Sequence, residues 1–219
     1  MEPISRIKFF SLDEIDVMRE RVFDLLGRRG VKMDHPEVLK ILDEAGAEVN
    51  FENKIVRFRK KFLEEVLKKA PRQLALAGLG EGNDLEIPRR DGTFHLRTGT
   101  GARCYLDPES GVYRKTTISD VATWAKIVNE LDEVSFCAFP FPTDVPVETA
   151  DIHALRTMLL NSQKHIWVIP YSAGSINYLI ELATVAAGGD QMLKSRPLVS
   201  FITCSLTPLE FKFMDLEII

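Results

Sequence analysis

The side chains able to do chemistry in this 219-residue chain gather where strand-like runs give way to turns. Phe139-Pro140-Phe141-Pro142-Thr143-Asp144 follows one apolar run, Pro170-Tyr171-Ser172 a second, and Thr203-Cys204-Ser205-Leu206-Thr207 a third. These stretches offer aromatic rings, a carboxylate, hydroxyls and a thiol. Packing competes with chemistry at each: phenylalanines fill cores, and Asp144 is placed to cap a helix beginning near Val147. Cys137, Cys204 and His165 are the side-chain types of a zinc site. His165 opens its strand whereas Cys204 closes its own, so one ion cannot reach both, and no metal is expected. Cys104, Cys137 and Cys204 are odd in number and lack C-x-x-C spacing, so they do not read as a disulfide framework. Cys137 and Cys204 read as small buried apolar residues. His35, His95 and His153 have no partner at ligand spacing and read as structural, and Trp124 and Trp167 read as packing residues. Thr98-Gly99-Thr100-Gly101 is a glycine-rich turn. A lone G-x-G does not make a phosphate loop, which leaves a β-turn or a loop that touches ligand through Thr100.

The elements that must position these residues follow from periodicity. Ser11 and Glu14 form a capping-box pattern ahead of Leu12, Ile15, Met18, Val22 and Leu25, an apolar face of a helix over 11–29. Asp34 and Pro36 suit the start of a second helix, with Val38, Leu39 and Leu42 apolar and Gly46 at its end. Val49, Phe51, Val56 and Phe58 predict a hairpin around Glu52-Asn53-Lys54. A helix over Arg59–Ala70 turns Phe62, Val66 and Leu67 inward. From 72 to 115 short apolar pairs alternate with turn chemistry, which reads as an antiparallel meander. Thr117 and Asp120 form a second capping box opening a helix. Strands at 134–139, 166–169 and 198–203 then alternate with helices at 147–162 and 174–187, and a further helix is expected over 208–219. The strand starts are 32 residues apart, a spacing of βα units with parallel strands and right-handed crossovers. The reading is therefore α/β: a helical unit with a hairpin at 1–70, a β-meander at 71–115, and at 116–219 either an open sheet or the first three units of a (β/α)8 barrel. Equal spacing and an ending in mid-pattern favour a truncated barrel, and no glycine-rich fingerprint follows any strand, against a dinucleotide-binding domain.

Composition bounds the classes. Apolar residues are 45% and charged residues 27%, which argues against global disorder. The net charge of −4 argues against nucleic-acid binding. No uninterrupted apolar stretch reaches membrane-spanning length, and MEPISRIKFF is too short and mixed for a secretory signal. A reduced, cytoplasmic protein is expected, with a homo-oligomer as a further expectation.

Three motifs carry a resemblance. Arg97-Thr98-Gly99-Thr100-Gly101-Ala102-Arg103-Cys104-Tyr105-Leu106-Asp107, with Arg114-Lys115-Thr116-Thr117-Ile118-Ser119-Asp120, resembles the trimethylamine methyltransferase family. So do Asn161-Ser162-Gln163-Lys164-His165-Ile166 and the opening pattern Gly30-Val31, His35-Pro36, Leu42 and Gly46-Ala47, and the likeness covers nearly the whole chain. The family holds trimethylamine:corrinoid methyltransferases and enzymes acting on glycine betaine and related quaternary amines. The resemblance implies a (β/α)8 barrel behind a helical and β-rich N-terminal region, in a chain roughly twice as long. The pyrrolysine of the trimethylamine enzymes would lie in the other half. It also implies transfer of a methyl group from a methylated amine to the cobalt of a corrinoid carried by a partner protein, with no cofactor bound directly. Cobalt is then the nucleophile, so no catalytic side chain is assigned. Because barrel chemistry sits at the C-terminal ends of strands, Phe139, Phe141, Tyr171 and Asp144 would hold the methylammonium by cation–π attraction and charge. Thr100, Thr203 and Ser205 would line the same substrate site. Two other readings stay open: an inactive N-terminal fragment of such an enzyme, or an unrelated α/β-barrel lyase. The lyase would need a Schiff-base lysine at a strand end, and none of the three strands ends in lysine.

Overall fold

A computed structural model describes residues 9–206 and 208–219; Thr207, the last residue of the third strand-end stretch, lies outside them. In chain order the elements are α1 (Leu12–Arg28), β1 (Val31–Met33), α2 (Pro36–Glu44), β2 (Glu48–Asn50), β3 (Ile55–Arg57), α3 (Lys60–Lys69), β4 (Leu74–Leu76), β5 (Leu85–Ile87), β6 (Leu96–Arg97), β7 (Cys104–Leu106) and β8 (Tyr113–Lys115). They continue with α4 (Ile118–Glu130), β9 (Val134–Ala138), α5 (Ala150–Asn161), β10 (Ile166–Val168), α6 (Ile176–Ala187), α7 (Asp190–Ser195), β11 (Val199–Phe201), β12 (Glu210–Phe211) and α8 (Phe213–Ile218). Contacts group Met1–Arg72 with Thr203–Ile219 in one unit and Gln73–Ile202 in another.

The first unit is a sheet in the order β12-β1-β3-β2, with β12 parallel to β1 and the other pairs antiparallel. Val31, Met33, Leu39, Ala47, Val56 and Leu216 form its buried core. The capping box of α1 is present, with the Ser11 hydroxyl accepting from the Glu14 amide at 3.2 Å and the Ser11 amide donating to the Glu14 carboxylate at 2.8 Å. The expected apolar face of α1 is not its buried face. Leu12, Ile15, Met18, Val22 and Leu25 are exposed, and Phe23 is the buried residue. Packing chose the face that meets the sheet over the face with the longer apolar stripe. Asp34 does not cap α2; the imidazole of His35 does, at 3.4 Å from the Val38 amide, while Asp34 pairs with Lys54. The His35 ring also meets the Glu217 carboxylate at 2.6 Å. Phe62 packs inward as expected, whereas Val66 and Leu67 are exposed. The single helix expected over 208–219 is instead β12 followed by the short α8, because Glu210 and Phe211 pair with Lys32 and Met33.

The second unit carries a four-stranded, wholly parallel sheet in the order β11-β10-β9-β6. The three regularly spaced strands are adjacent and parallel, as the 32-residue steps predict. The fourth, β6, falls where a meander was expected. Residues 72–115 do not form one antiparallel layer: β4–β5 and β7–β8 are separate two-stranded hairpins, and β6 joins the parallel sheet beside β9. With only Leu96 and Arg97 in register, and an irregularity between them, β6 has no hydrophobic run to announce it. Alternation along the strands puts Cys137, Phe139, Ile166 and Val168 against α4, α5 and α6. Phe136 and Trp167 point the other way and meet edge-on at 5.2 Å between ring centroids.

Asn161–Ile166 holds the N-terminal end of this sheet together. The Lys164 ammonium donates to the carbonyls of Val128 (2.8 Å), Leu131 (2.5 Å) and Val134 (2.6 Å), a cation at the C-terminal end of α4 that ties it to the start of β9. His165 is fully buried, with Nδ1 3.0 Å from the Ala77 carbonyl and Nε2 2.8 Å from the Ser200 hydroxyl. A carbonyl can only accept, so Nδ1 donates and Ser200 donates to Nε2. Burial pulls the imidazole pKa below its ordinary value.

Candidate functional site

The residues of interest in the second unit meet at the C-terminal ends of β9 and β10. The α5 helix begins there with Asp151, whose carboxylate is completely buried. Its Oδ2 accepts from the Tyr171 amide at 2.8 Å and from the Ser175 hydroxyl at 2.5 Å. A carboxylate in the first turn of a helix is also favoured by the helix dipole. Tyr171 is thereby fixed by its backbone. Its ring stacks on Phe141, with centroids 4.4 Å apart and planes 26° apart, and meets Phe139 edge-on at 6.4 Å. Burial, and then the charge of Asp151, push the Tyr171 phenol well above its ordinary pKa. The Arg103 guanidinium lies 4.5 Å above the Phe141 ring.

A strap from β6 positions the arginine. Thr98 is buried and substitutes for a strand residue: its hydroxyl accepts from the Ala138 amide at 2.9 Å and donates to the Ala138 carbonyl at 3.1 Å. Farther on, the Gly101 amide donates to the Phe139 carbonyl at 3.2 Å and the Phe141 amide to the Ala102 carbonyl at 2.8 Å. At the other end of the strap the Arg97 guanidinium lies 4.6 Å from the Trp167 ring.

The structure brings Phe139, Phe141 and Tyr171 together, but as a closed stack. Phe139 and Phe141 are buried, and the faces of Phe141 are covered by Tyr171 and Arg103, so neither phenylalanine presents an open face to a cation. Asp144 does not join them and does not cap the helix near Val147. It is exposed, and its carboxylate accepts from the Ile118 amide at 2.8 Å at the start of α4. The reason is local: α4 is entered through Thr116-Thr117, and the Thr143 amide donates to the Thr116 carbonyl at 2.8 Å, which sets Asp144 beside the open amides of α4. Thr100 stands in the strap and is half-buried. Thr203 and Ser205 group with the first unit, where Ser205 lines an apolar groove of about 820 Å³ with Leu25, Val31, Ile55, Leu206 and Phe211.

Sequence reasoning missed three functional-looking residues. Asp151 was legible only as an acid favoured by a helix start. Arg97 and Arg103 stood in plain view in the first motif, but nothing in their spacing announces aromatic platforms supplied from β10 and from beyond β9. Cys137 is buried with its thiol 3.6 Å from the His165 carbonyl, and burial pushes that thiol up to about 12, so it is not a thiolate ligand at neutral pH. Among the described residues no three His, Cys, Asp or Glu side chains converge as a metal site. No described helix is long and apolar enough to cross a membrane.

A family model described as trimethylamine methyltransferase (MTTB) matches residues 1–217. The chain belongs to this family. Among relatives of the family, trimethylamine methyltransferase MttB of Desulfitobacterium hafniense is 29% identical over 203 residues, covering 92% of this chain and 40% of that protein. MttB1 of Methanosarcina mazei is 24% identical over 219 residues, covering 98% of this chain and 44% of that protein. The glycine betaine methyltransferase of Desulfitobacterium hafniense is 24% identical over 201 residues, 91% of this chain and 41% of that protein. The chain thus spans about two-fifths of the length of the curated family members it matches. The family motifs do structural work here: Arg114 pairs twice with Asp120, at 2.7 and 2.8 Å, inside the capping box of α4, and Lys164 and His165 tie the sheet's N-terminal end.

Proposed function

We propose that this chain is the N-terminal part of a methyltransferase that moves a methyl group from a methylated amine to the cobalt of a corrinoid held by a separate protein. The observation that carries this reading is the family match over residues 1–217, supported by relatives named for trimethylamine and for glycine betaine. The parallel sheet β11-β10-β9-β6, with consecutive helices on one face, is compatible with the opening units of a (β/α)8 barrel. In the reaction the reduced cobalt contributes an electron pair to the methyl carbon. The carbon–nitrogen bond breaks and its electrons stay on nitrogen, which leaves as the neutral amine. No side chain need form a covalent bond. The protein's part is to orient the donor in line with the metal and to keep water away. In this chain the strand ends of β9 and β10 supply the rigid floor for that task, with Asp151 fixing Tyr171 and the strap fixing Arg103.

The test is methyl transfer to a corrinoid protein, followed by the absorbance change of the cobalt centre. It is run with trimethylamine and with glycine betaine, using the chain alone and the chain joined to the coding sequence that follows Ile219. Transfer with either donor is expected from the joined protein. Transfer with neither would refute the proposal, and transfer only by the joined protein would identify the 219-residue chain as an inactive part. Cytoplasmic location and a homo-oligomeric state belong to the same proposal.

A further inference from the structure

We infer that the exposed apolar stripe of α1 is the seam of an antiparallel, two-fold symmetric pairing with α1 of a second copy of this chain, and that the groove beside the stripe receives the residues ahead of the second copy's helix. The inference rests on the homo-oligomeric part of the reading above and adds the surface through which the copies meet.

Three observations carry it. The first is the rotation of α1. Phe23 is buried and Leu26 packs against the core of the first unit, which turns Ile15, Met18, Val22 and Leu25 outward, each 42–50% exposed. Their steps of three, four and three residues are the a/d repeat of a coiled-coil seam. The order of steps is the same from either end. An antiparallel pairing therefore sets Ile15 on Leu25 of the second copy and Met18 on Val22, so that one patch complements itself as a two-fold interface requires. Second, one flank of the seam carries Glu14, Arg21 and Arg28, all exposed. The same pairing brings Glu14 to Arg28 of the second copy, twice over, and sets Arg21 beside the axis. Both partners are available: the capping bonds of Glu14 use Oε2 and leave Oε1 open, and Arg28, 3.3 Å from Asp24, has donors to spare. Third, the apolar groove of about 820 Å³ lies beside the C-terminal end of α1, lined by Leu25, Leu26, Arg29, Ile55, Leu209 and Phe211.

The groove fixes the direction of pairing and what fills it. A parallel second helix would carry its own start away from the groove. An antiparallel one delivers Leu12 opposite Leu26, with Phe10 and Phe9 following into the groove. These three side chains are 80%, 56% and 82% exposed in their own chain. At ~150–250 Å² for a buried aromatic, the two phenylalanines add roughly 200–350 Å² toward the ~800 Å² that a stable interface buries on each partner. The two-heptad seam and the groove are thus parts of one surface, joined at Leu25.

The experiment is sedimentation equilibrium of the 219-residue chain, and of the chain joined to the coding sequence that follows Ile219, each with its variants. Both parents are expected to self-associate. Val22→Asp puts a charge in the middle of the seam and should weaken association at least about thirtyfold, the size of a hot-spot loss. Val22 is half exposed within its own chain, so the far-ultraviolet circular dichroism of the variant should keep the helix content of the parent. Phe10→Ser, outside the helix, should weaken association by emptying part of the groove. Arg21→Glu tests the axis. Mixed with the parent chain it meets Arg21 of the second copy, and native mass spectrometry at low salt should show heterodimers rising from the statistical half to about two-thirds or more. Monomeric parents, unchanged association in Val22→Asp or Phe10→Ser, or heterodimers at one half would overturn the seam. So would pairing by the 219-residue chain that the joined protein lacks, since the rest of that protein would then cover the stripe. Methyl transfer by a joined protein that does not pair overturns the seam and leaves the reaction standing. Pairing through the seam without methyl transfer does the reverse.

Discussion

Asp151 is the residue on which the strand-end cluster turns, and its replacement by alanine is a strong test. The carboxylate is fully buried and accepts three hydrogen bonds, from the Tyr171 amide, the Ser175 hydroxyl and the Ile152 amide. A hydrogen bond to a charged partner is worth ~1.5–3 kcal/mol. Asp151→Ala removes all three and leaves the Tyr171 amide without an acceptor, while the Ser175 hydroxyl keeps the Ser172 carbonyl at 2.8 Å, so the loss should be about 3–5 kcal/mol. For a chain of this size that lowers the melting temperature by roughly 6–20 °C. The two tryptophans, Trp124 and Trp167, both lie in the Gln73–Ile202 unit, so intrinsic fluorescence in urea reads the unit that contains Asp151. Two controls assign the loss. Ser175→Ala deletes one donor and should cost about 1–2 kcal/mol. Tyr171→Phe keeps the amide that Asp151 holds and should stay within about 0.5 kcal/mol of the parent. If Asp151→Ala lies within about 1 kcal/mol of the parent, or if Tyr171→Phe is as damaging as Asp151→Ala, the account of this cluster is wrong.

His165 gives a pH dependence whose sign is fixed: its folded pKa lies below the unfolded value of 6.5, so its contribution is complete above 6.5 and is lost as pH falls through the lowered value. Urea unfolding from pH 7 downward should show stability falling with acidity, and His165→Gln should flatten that slope; a parallel slope would refute it. Asp144→Ala should cost about 0.5–1.5 kcal/mol by removing the acceptor of the Ile118 amide, which the Thr117/Asp120 capping box of α4 does not serve, while Asp144→Asn stays close to the parent, since asparagine accepts that amide equally well. Equal losses in the two variants, measured by the same fluorescence, would assign the effect to charge. Gly30→Ala should destabilise the first unit by at least about 2 kcal/mol, because φ is +75° and the new Cβ would sit 2.6 Å from the Val56 carbonyl. Unchanged far-ultraviolet circular dichroism melting would contradict this.

Local grammar determined much of this protein without help from tertiary structure. The capping boxes Ser11/Glu14 and Thr117/Asp120 form as read, because both partners lie within one helical turn. Gly46 ends α2 with φ at +93°, and Gly188 ends α6 in the left-handed region, since only backbone freedom at a single residue is involved. The repeat of 32 residues was enough to place three parallel strands side by side, because a crossover of that length has few alternatives. Everything that depends on partners distant in sequence was decided by packing. Phe94 and Leu96 read as one short strand of a meander, and packing decided that Leu96 and Arg97 pair parallel with the edge of β9 instead. The α1 helix buries Phe23 and exposes the better stripe because its neighbours, not its own sequence, choose the face. Asp144 and Asp151 look alike in sequence, one after a strand and one in a helix start. The structure puts the first on the surface at the Ile118 amide and buries the second beneath Tyr171. Burial is what makes two identical carboxylates different: water supports the first, while the second is held by two donors brought from 20 and 24 residues away.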